Sequence, residues 1–485
     1  MIPVVTPDEM AGVDRSAPEP GDVLVARAGA AVVRNVVAMI RASPRRLVYG
    51  ARVVVVAGPG NNGADGRDAA RRLVARGAAV TVVDASRVVG ATLPPADLVI
   101  DAAFGTGLSR PYRPPVPVAD LGSAPVLAVD LPSGVSGLTG EVVGGDDGGF
   151  VRAARTVTFA ALKPGLVLGV GPDAVGELDV ADIGLGGGVD DVARAWMITD
   201  ADVARIPARG NDAHKWQSAV HVVAGSPGMN GAPWLVSTAA LRAGAGYVRL
   251  GIPGVEAGAA GLPPGEVVNV GLPVEDWPHA VLDGLERFSC LVVGPGLGAG
   301  GRSADGSSGP DTPVGRLLSA APIPAVADAD GLNALGSIAA VAAVTSRRSS
   351  SGGRPLVLTP HVGEFARLTG EPPGPDRVAS VRAAASRCGA IVLLKGSTTV
   401  VAHPDGRVLL ANSGSSRLAT AGTGDVLSGV IGALVARGVE PFEAAALGAH
   451  VHGRAAGRGW AQGLVASDLP DLVAGWLSDV GRPWA

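Results

Sequence analysis

Residues 53–77 read VVVVAGPGNNGADGRDAARRLVARG, and this stretch decides the fold class. Val53–Ala57 is a short run of apolar residues, as expected for a strand that is buried on both faces. Gly66–Arg76 carries apolar residues at helical spacing and stops at Gly77, a residue type common just past the end of a helix. A buried strand, a glycine turn and a helix together form the repeating unit of a parallel α/β sheet.

The same alternation continues along the chain and predicts two α/β domains. Further strand-like runs in the first half are Ala79–Val83, Leu98–Ile100, Val126–Val129 and Thr156–Phe159. Those in the second half are Ala219–Ala224, Tyr247–Ile252, Leu291–Val293, Ala325–Ala327, Leu356–Leu358 and Ile391–Leu394. A chain of 485 residues is long for a single core, so we expect one domain over 1–205 and another over 206–485.

Two segments rich in glycine and serine interrupt the second half. Ala299–Thr312 and Ser346–Arg354 have the composition of flexible surface insertions. Further on, Asp425–Arg437 carries a stripe of apolar residues and stops before Gly438, which predicts a helix.

The composition argues against several classes of partner. The net charge is −4 and no block of like charges occurs, so neither nucleic acid nor an anionic membrane surface is expected to bind. The first residues lack the basic segment and apolar run of a signal peptide, and no apolar stretch is expected to reach membrane-spanning length. Cys290 and Cys388 lie among apolar residues, as inert thiols in a reducing compartment would. We therefore expect a cytoplasmic protein.

Lysine is rare in this chain. The three lysines are Lys163, Lys215 and Lys395, although Lys and Arg together number 40. Because arginine supplies positive charge almost everywhere else, a retained lysine indicates a need for a compact ammonium that approaches a phosphate or transfers a proton. Each of the three lies inside a motif described below.

Polar side chains follow four of the predicted strands in the first half. They are Asn61, Asn62 and Asp65, then Asp101, then Asp130 and Ser133, and finally Lys163. The carboxyl ends of parallel strands meet at one edge of a sheet, so these groups are expected to converge. Oxygen ligands of this type suit a hard cation, and an aspartate together with a lysine can move a proton.

The first of these turns leaves an alternative open. Residues 58–63 fit the pattern G-x-G-x-x-G, and Asp84 ends the next strand, where a ribose-binding acid would lie. A nicotinamide-dependent dehydrogenase is therefore a rival hypothesis. A dinucleotide-binding turn needs only its glycines, so the additional polar side chains of Asn61, Asn62 and Asp65 argue against this rival.

Taken in order, four motifs resemble those of NAD(P)H-hydrate epimerase. They are Asn-Asn-Gly-x-Asp at 61–65, Asp-Ala-x-Phe-Gly-Thr-Gly-Leu at 101–108, Val-Asp-x-Pro-Ser-Gly at 129–134 and Leu-Lys-Pro-Gly at 162–165. Ala64 stands where the family has a second glycine, and the segment around Val25–Gly29 matches only loosely. The expected fold is a Rossmann-like, three-layer domain with a parallel sheet.

This resemblance implies roles for particular residues. Asp130 and Lys163 would handle protons during inversion at C6 of the hydrated nicotinamide ring. A potassium ion would be held by Asn62, Asp101 and Ser133. The substrate would lie against Asn61, Asn62, Gly63, Ala64 and Asp65 and against Gly105, Thr106, Gly107, Leu108, Ser109, Arg110 and Pro111.

A second set of motifs in the other half suits phosphate chemistry. Ala421–Asp425 reads AGTGD directly before the predicted helix, so unpaired N–H groups and glycines form an anion site there. A carboxylate beside such a site can act as base on a hydroxyl that is being phosphorylated. An isolated aspartate in this position is also a common helix cap. Three other strand ends add KGSTT at 395–399, GPGLG at 294–298 and TPHVGE at 359–364.

These motifs resemble the ribokinase-like fold and, within it, NAD(P)H-hydrate dehydratase. Further matches are His214-Lys215, Gly225-Ser226, residues 230–233, residues 240–246 and residues 328–333. The resemblance implies contacts of the hydrated dinucleotide with Ala232, Gly296, His361 and Asp425. It implies nucleotide contacts at Lys395, Gly396, Ser397, Thr398, Thr399, Gly422, Thr423 and Gly424. His450 and His452 are expected to be structural.

The combined hypothesis is a bifunctional isomerase and lyase that repairs NAD(P)H hydrates. The first domain would epimerise the R and S forms, and the second would dehydrate the S form with ADP, giving AMP and phosphate, with Mg²⁺ bridging the nucleotide phosphates. Phosphorylation of the C6 hydroxyl, with Asp425 as base, would create the leaving group. A homo-oligomer is expected. The alternative is a ribokinase-like small-alcohol kinase with a non-catalytic dinucleotide-binding N-domain.

Overall fold

The chain folds into two compact units. The computed structural model describes residues 1–120, 122–255, 265–303 and 305–480. One unit comprises Ile2–Ala195, and the other comprises Met1 and Trp196–Ala485. The division falls at Trp196, whereas the sequence suggested a boundary near Ile206. Ile198, Val203 and Ile206 are buried in the core of the C-terminal unit, so the intervening segment packs with that unit.

The N-terminal unit is a parallel sheet with helices. Its helices and strands are β1 (Ile2–Val4), α1 (Pro7–Arg15), α2 (Gly21–Ala42), β2 (Arg52–Ala57), α3 (Asn61–Val74), β3 (Ala79–Asp84), β4 (Leu98–Ala102), β5 (Val126–Val129), β6 (Arg155–Phe159), α4 (Gly171–Ala174), β7 (Glu177–Ala181) and α5 (Gly186–Val192). Six strands pair in parallel in the order β3-β2-β4-β5-β6-β7. The order reverses between β2 and β4, and ligands bind open parallel sheets at such points.

Helix α3 begins earlier than the sequence pattern predicted. It starts at Asn61 and not at Gly66, because Gly60 takes the extended cap position and the chain turns directly into the helix. Asn61–Asp65 therefore forms the first helical turn instead of a loop. Ala64 has no left-handed backbone in this turn, so the absence of a second glycine there causes no strain.

Helix α2 corrects one prediction from the sequence. It is 22 residues long, its most apolar 18-residue stretch has a mean hydropathy of 1.8, and by length and composition it is apolar enough to cross a membrane. The expectation that no apolar stretch reaches such a length is therefore wrong. Ala31, Val32, Val36 and Ile40 are buried, and the helix packs against α3. A core-facing side accounts for much of its apolar composition.

The C-terminal unit is built on a larger, mixed sheet. From β8 onward the elements are β8 (Ala195–Met197), β9 (Ala219–Val223), α6 (Gly231–Arg242), β10 (Tyr247–Pro253), β11 (Val267–Leu272), α7 (Trp277–Leu282), β12 (Cys290–Val293), α8 (Pro313–Ala320), β13 (Ala325–Ala327), α9 (Asp330–Leu335), α10 (Ile338–Ser350), β14 (Leu356–Leu358), α11 (Val362–Thr369), α12 (Arg377–Cys388), β15 (Ile391–Leu394), β16 (Thr399–Ala402), β17 (Val408–Ala411), α13 (Thr423–Ala436), α14 (Pro441–Arg458) and α15 (Leu469–Val480). The strands from β9 onward lie in the order β17-β16-β15-β14-β13-β12-β9-β10-β11. Only β16 among them is antiparallel to its neighbours. The order reverses between β9 and β12.

The segment Ser346–Arg354 is not the flexible insertion that its composition suggested. Its first residues complete α10, and the side chain of Arg348 is buried there. The Arg348 guanidinium donates hydrogen bonds to the carbonyl of Leu318 at 2.6 Å and to the carbonyls of Ile323 and Arg354. These contacts fix the segment against the chain entering β13 and β14. In Ala299–Thr312, Thr312 caps α8, and Ala304 lies outside the described residues.

Tryptophan is confined to one unit. The chain has seven tryptophans, and the first in sequence is Trp196. The N-terminal unit, Ile2–Ala195, therefore contains none. Trp277 and Trp476 are buried in the C-terminal unit, so their fluorescence reports on that unit alone.

Candidate active sites

A pocket opens at the carboxyl edge of the N-terminal sheet, where the strand order reverses. Its volume is about 660 Å³. The lining residues come from α1 and α2, the start of α3, the loop after β4, Asp130 after β5 and Lys163 after β6. The pocket thus lies where an open parallel sheet offers its strand ends to a ligand.

Asp130 and Lys163 form an ion pair in this pocket. The Lys163 Nζ donates to Asp130 Oδ1 at 2.6 Å, and Thr158 Oγ1 donates to the same oxygen at 3.0 Å. Nζ also donates to Thr158 Oγ1 at 2.9 Å and to the Phe159 carbonyl at 3.2 Å. Asp130 has φ 65°, an uncommon value for a residue other than glycine. This backbone, at the end of β5, aims the carboxylate at the lysine.

Asp65 is a buried carboxyl on the pocket side of α3. It is 7% exposed and lines the pocket. Within the described parts of the chain it has no hydrogen bond and no ion pair. Burial, followed by the charges of Asp130, Asp68 and Asp14, raises its pKa to about 8. This environment favours the protonated form of Asp65.

The expected cation ligands lie beside the pocket. Asp101 is buried and accepts hydrogen bonds from the Ser133 amide at 2.8 Å and the Ser133 hydroxyl at 2.7 Å. Burial raises the Asp101 pKa to about 6, although these bonds oppose the rise. Both amide atoms of Asn62 are buried without a partner in the described structure. Asn62 also lies next to Gly105. An orphaned amide oxygen and a buried carboxyl suit an oxygen-ligated cation.

The structure brings some of the expected substrate residues into the pocket and leaves others outside. Those that line it are Asn61, Asn62, Asp65, Gly105, Thr106, Gly107 and Leu108. Those that do not border it are Gly63, Ala64, Ser109, Arg110 and Pro111. Sequence reasoning missed the wall made by α1 and α2, including Met10, Asp14, Leu24 and Val25. The amphipathic spacing of α1 was the available signal for that wall.

In the C-terminal unit, Asp328 connects several strand ends. Its side chain is 1% exposed. Oδ1 accepts a hydrogen bond from Lys395 Nζ at 2.6 Å, and Oδ2 accepts one from Ser428 Oγ at 2.6 Å. Gly294, after β12, lies so close that a side chain there would collide with the Asp328 carbonyl. The sequence marked Asp328 only as part of a motif, and its central position was missed.

Asp425 stands in the first turn of α13, beside Lys395. The helix begins at Thr423, two residues before the predicted start, because Gly422 has φ 89° and turns the chain into the helix. Burial raises the Asp425 pKa to about 7, and Asp328 adds to the rise while Lys395 opposes it. A Cβ on Gly424 would lie 3.1 Å from Lys395 Nζ. Backbone N–H groups, an ammonium and a carboxyl thus meet at one helix start, which suits an anion.

The other expected nucleotide residues lie along the loop after β15. Gly396 and Ser397 are exposed, Thr398 is buried, and Thr399 opens β16. The Thr423 hydroxyl donates to the Leu418 carbonyl at 2.9 Å and so braces the approach to α13. Sequence reasoning missed Arg377, whose guanidinium lies beside Gly396. Burial lowers the pKa of Arg377.

Ala232 and Gly296 meet at the reversal point between β9 and β12. Gly296 has φ 68°, and a Cβ there would lie 3.0 Å from the Ala232 Cβ. The Gly225 amide donates to the Pro295 carbonyl at 2.8 Å, which joins the two loops. His361 caps α11, and its Nδ1 accepts from the Gly363 amide at 3.0 Å. The His361 ring is 56% exposed, and its Nε2 lies 3.6 Å from Glu364 Oε2.

The two histidines expected to be structural are buried. His450 Nε2 lies 2.8 Å from Asp200 Oδ1. Burial lowers the pKa of His452 to about 4, which keeps its ring neutral. Neither environment offers an open face to a substrate.

Each unit therefore carries its polar site at the carboxyl edge of a parallel sheet. One site pairs a carboxylate with a lysine beside a pocket. The other sets a lysine and a carboxyl at a glycine-rich helix start. Together they define a two-site α/β enzyme with proton transfer in one unit and phosphoryl transfer in the other.

Comparisons with known proteins agree with this class. The family model of NAD(P)H-hydrate dehydratase matches residues 220–476, and that of the YjeF-related protein N-terminus matches residues 21–91 and 83–165. The bifunctional NAD(P)H-hydrate repair enzyme Nnr of Salinibacter ruber is 38% identical over 87% of this chain and 86% of its own. The repair enzyme Nnr of Moorella thermoacetica is 34% identical over 97% of this chain and 96% of its own. The chain belongs to the family of bifunctional NAD(P)H-hydrate repair enzymes, which confirms the predicted resemblance.

Among solved structures, the chain is similar to an ADP/ATP-dependent NAD(P)H-hydrate dehydratase from Bacillus subtilis, co-crystallised with ATP and Mg²⁺. The identity is 24% and the TM-score 0.44, over 58% of this chain and 97% of that one. A ribokinase-like superfamily protein from Enterococcus faecalis is 19% identical, with a TM-score of 0.46 over 60% and 97%.

Proposed function

We propose that this protein repairs hydrated nicotinamide dinucleotides. The N-terminal site interconverts the R and S hydrates, and the C-terminal site dehydrates the S form to NADH or NADPH with a nucleoside phosphate. The observation that carries the proposal is the presence of both sites in one chain of this family. A small-alcohol kinase would need the C-terminal site and would have no use for the Asp130–Lys163 pocket.

In the C-terminal site, Asp425 takes the proton from the C6 hydroxyl as the phosphoryl group arrives on that oxygen. Its raised pKa, about 7, suits a base that works near neutral pH. Lys395 and the amides of Gly422–Gly424 stabilise negative charge on the transferred group. The lone pair of the ring nitrogen then expels phosphate, and loss of a C5 proton gives the reduced ring. With ADP as donor, the other product is AMP.

Two cations accompany this chemistry in the proposal. In the described structure no group of three or more His, Cys, Asp or Glu side chains is placed to hold a metal ion. Mg²⁺ would therefore enter on the nucleotide phosphates, where it offsets their charge. Asn62, Asp101 and Ser133 would hold K⁺, which would compensate the buried Asp101 carboxylate and fix the loop after β4.

The hydrated dinucleotide is proposed to occupy both sites. In the N-terminal pocket it lies against Asn61, Asp65 and the Gly105–Leu108 loop. In the C-terminal unit it lies against Ala232, Gly296 and His361, with the nucleotide on Lys395–Thr399. Cys290 and Cys388 are buried, unpaired thiols, which fits the proposed cytoplasmic location.

The decisive experiment combines the purified protein with NADH hydrate and either ADP or ATP. We expect the absorbance of reduced nicotinamide to return from both epimers, because the N-terminal site feeds R hydrate into the S pool. Parallel reactions without nucleotide serve as the control and should recover nothing. Failure to recover NADH from either epimer with either nucleotide would contradict the proposal, and phosphorylation of simple alcohols instead would favour the kinase alternative.

A further inference from the structure

The ammonium of Lys163 has no N–H group left for a substrate. A lysine ammonium carries three donors. Those of Lys163 go to Asp130 Oδ1, Thr158 Oγ1 and the Phe159 carbonyl, and the side chain is 2% exposed. Contact with a substrate would require breaking a buried ion pair. The geometry therefore lets Lys163 act on the substrate only through Asp130.

The hydrogen bonds on Asp130 leave one of its oxygens free. Oδ1 takes the bonds from Lys163 and Thr158. Oδ2 faces Gly105, where a Cβ would lie 3.4 Å away, and Gly105 lines the pocket. Asp130 thus presents one carboxylate oxygen to the pocket while its partner oxygen is held in place.

Asp65 lines the same pocket but, unlike Asp130, has no hydrogen-bond or charge partner among the described residues. It is more than nine-tenths buried. A carboxyl that lines a pocket without a partner in the protein is placed to meet a ligand. The groups that face it are mostly acidic: Asp130 after β5, Asp68 on its own helix and Asp14 on α1. Lys163, the cation of the site, is already paired.

We infer that Asp130 and Asp65 are the two proton carriers of the N-terminal site, and that Lys163 is a positioning residue. A carboxylate paired with an ammonium and a buried carboxyl among other acidic groups provide a base and an acid in one pocket. This inference rests on the epimerase function proposed above. It identifies the groups that carry out that reaction.

In a ring-opening step, one of the two carboxyl groups accepts a proton from the substrate while the other donates one. Asp130 Oδ2 takes the proton of the C6 hydroxyl as the C6–O bond becomes a carbonyl. The N1–C6 bond breaks, its electron pair goes to N1, and N1 receives the proton of Asp65. Rotation about C5–C6 turns the aldehyde, and N1 attacks its other face. Asp130 then returns its proton to the oxygen, Asp65 recovers its proton from N1, and the opposite epimer results.

The test follows epimerisation alone in the full chain. With nucleotide omitted the C-terminal reaction cannot run, so conversion of pure R hydrate to an R/S mixture, followed by chromatography, reports the N-terminal site. We expect Asp65→Asn to lower kcat by roughly 10²- to 10⁴-fold with KM little changed. Asp65→Glu, which keeps a carboxyl, should restore part of the rate. Asp173→Asn, at an exposed aspartate of α4 outside the pocket, is the matched control.

Lys163→Met separates positioning from direct proton transfer. Without the ammonium, Asp130 Oδ1 loses its ion pair, so we expect this variant to retain epimerisation with a lowered kcat and an unchanged KM. Loss of activity at every pH, with the N-terminal unit still folded by calorimetry, would overturn the positioning role. In the wild type we expect kcat to fall above about pH 8, as Asp65 loses its proton.

The outcomes distinguish this inference from the function on which it rests. If the wild-type protein leaves R hydrate unchanged beyond its spontaneous rate, the proposed epimerase function fails. If the wild type converts it and Asp65→Asn does so equally fast, only the role of Asp65 fails. A raised KM with unchanged kcat would assign Asp65 to substrate binding and would likewise overturn the inference.

Discussion

At the scale of single residues, the two sites use carboxyl groups in different surroundings. Asp130 is paired directly with Lys163 at 2.6 Å. In the other unit the lysine, Lys395, is paired with Asp328. The charge of Lys395 therefore offsets only part of the cost of ionising the buried Asp425, and the pKa of Asp425 rises to about 7. The same residue type is therefore paired directly with a lysine in one site and lies beside an already paired lysine in the other.

We expect S-hydrate dehydration to speed up as pH rises through about 7, because Asp425 must be ionised before it can accept a proton. Asp425→Asn should lower kcat by roughly 10²-fold or more. The raised pKa also means that the wild-type C-terminal unit loses stability as pH rises through about 7, whereas the Asn variant should not. Steady-state rates at several pH values check the expectations for catalysis, and tryptophan-monitored unfolding at the same pH values checks the expectation for stability. A pH-independent rate, or full activity of the variant, would remove Asp425 from the mechanism.

Sequence motifs indicated the positions of four polar side chains of the candidate sites. Asp130, Lys163 and Lys395 each follow a strand end, and Asp425 lies at the start of a helix. The structure places each of them in a polar cluster. Asp328 was different, because nothing in its motif indicates that this side chain turns inward and binds Lys395. That contact depends on packing between distant strands.

At the scale of elements, the N-terminus of α13 is the surface on which we place the transferred phosphate. Its N–H groups point outward from Gly422–Gly424, and Lys395 approaches Gly424 closely. Glycine is required at 422, where φ is 89°. At 424 the backbone is helical, so only the space toward Lys395 depends on glycine.

Gly424→Ala should therefore weaken nucleotide binding without unfolding the protein. The added methyl would lie about 3.1 Å from Lys395 Nζ and displace the ammonium from the phosphate. We expect affinity for ADP or ATP to fall about tenfold, which corresponds to ~1.4 kcal/mol, by calorimetric titration. Gly457→Ala, at an open position on α14, is the control and should leave affinity unchanged. Wild-type affinity in the Gly424 variant would argue against a phosphate at this helix start.

Helix α10 depends on one buried guanidinium. Arg348 donates to three backbone carbonyls from three different nitrogens, and the single nitrogen of a lysine cannot reach all three positions, so Arg348→Lys leaves at least one carbonyl unpaired. We expect a loss of about 1–3 kcal/mol in the unfolding free energy of the C-terminal unit, measured by tryptophan fluorescence in urea. The neighbouring Arg347 is half-exposed and pairs with Asp311. Arg347→Lys is the control, with an expected change within about 0.5 kcal/mol.

The sequence predicted buried strands better than edge strands. β2, β5, β13, β14 and β15 are continuous apolar runs, and their predicted bounds agree with the structure to within a residue. β7 and β11 were missed because they are partly exposed and interrupt their apolar residues with polar ones. β16 and β17 were missed because they pair as an antiparallel ribbon and do not follow the alternation of strands and helices.

At the scale of the whole molecule, each site is assembled within one unit. The residues that line the N-terminal pocket fall between Pro7 and Ile183. The cluster around Asp328 and Asp425 falls entirely after Trp196. The alternating pattern of strands and helices was enough to predict two α/β domains. It could not place the division, because the segment 196–206 joins a core that forms from distant strands.

Because each site is complete in its own unit, the two reactions should be separable by mutation. Asp130→Asn should leave S-hydrate dehydration at the wild-type rate while R hydrate is used only as fast as it epimerises spontaneously. Progress curves from a mixed sample, with nucleotide present, would show this as an early fast phase and a slow remainder. Asp120→Asn, an exposed aspartate of the same unit, is the control. Equal use of both epimers by the Asp130 variant would contradict the assignment.

The confinement of tryptophan to the C-terminal unit has an optical consequence. Reduced nicotinamide absorbs where indole emits, whereas the hydrated ring has lost that conjugation. Energy transfer from Trp277, Trp476 and their neighbours would therefore excite fluorescence of the reduced dinucleotide while it is bound where it forms. The hydrated substrate would give no such fluorescence. A stopped-flow record of this sensitised emission would time the appearance of reduced dinucleotide in the C-terminal unit, and its decay would time release.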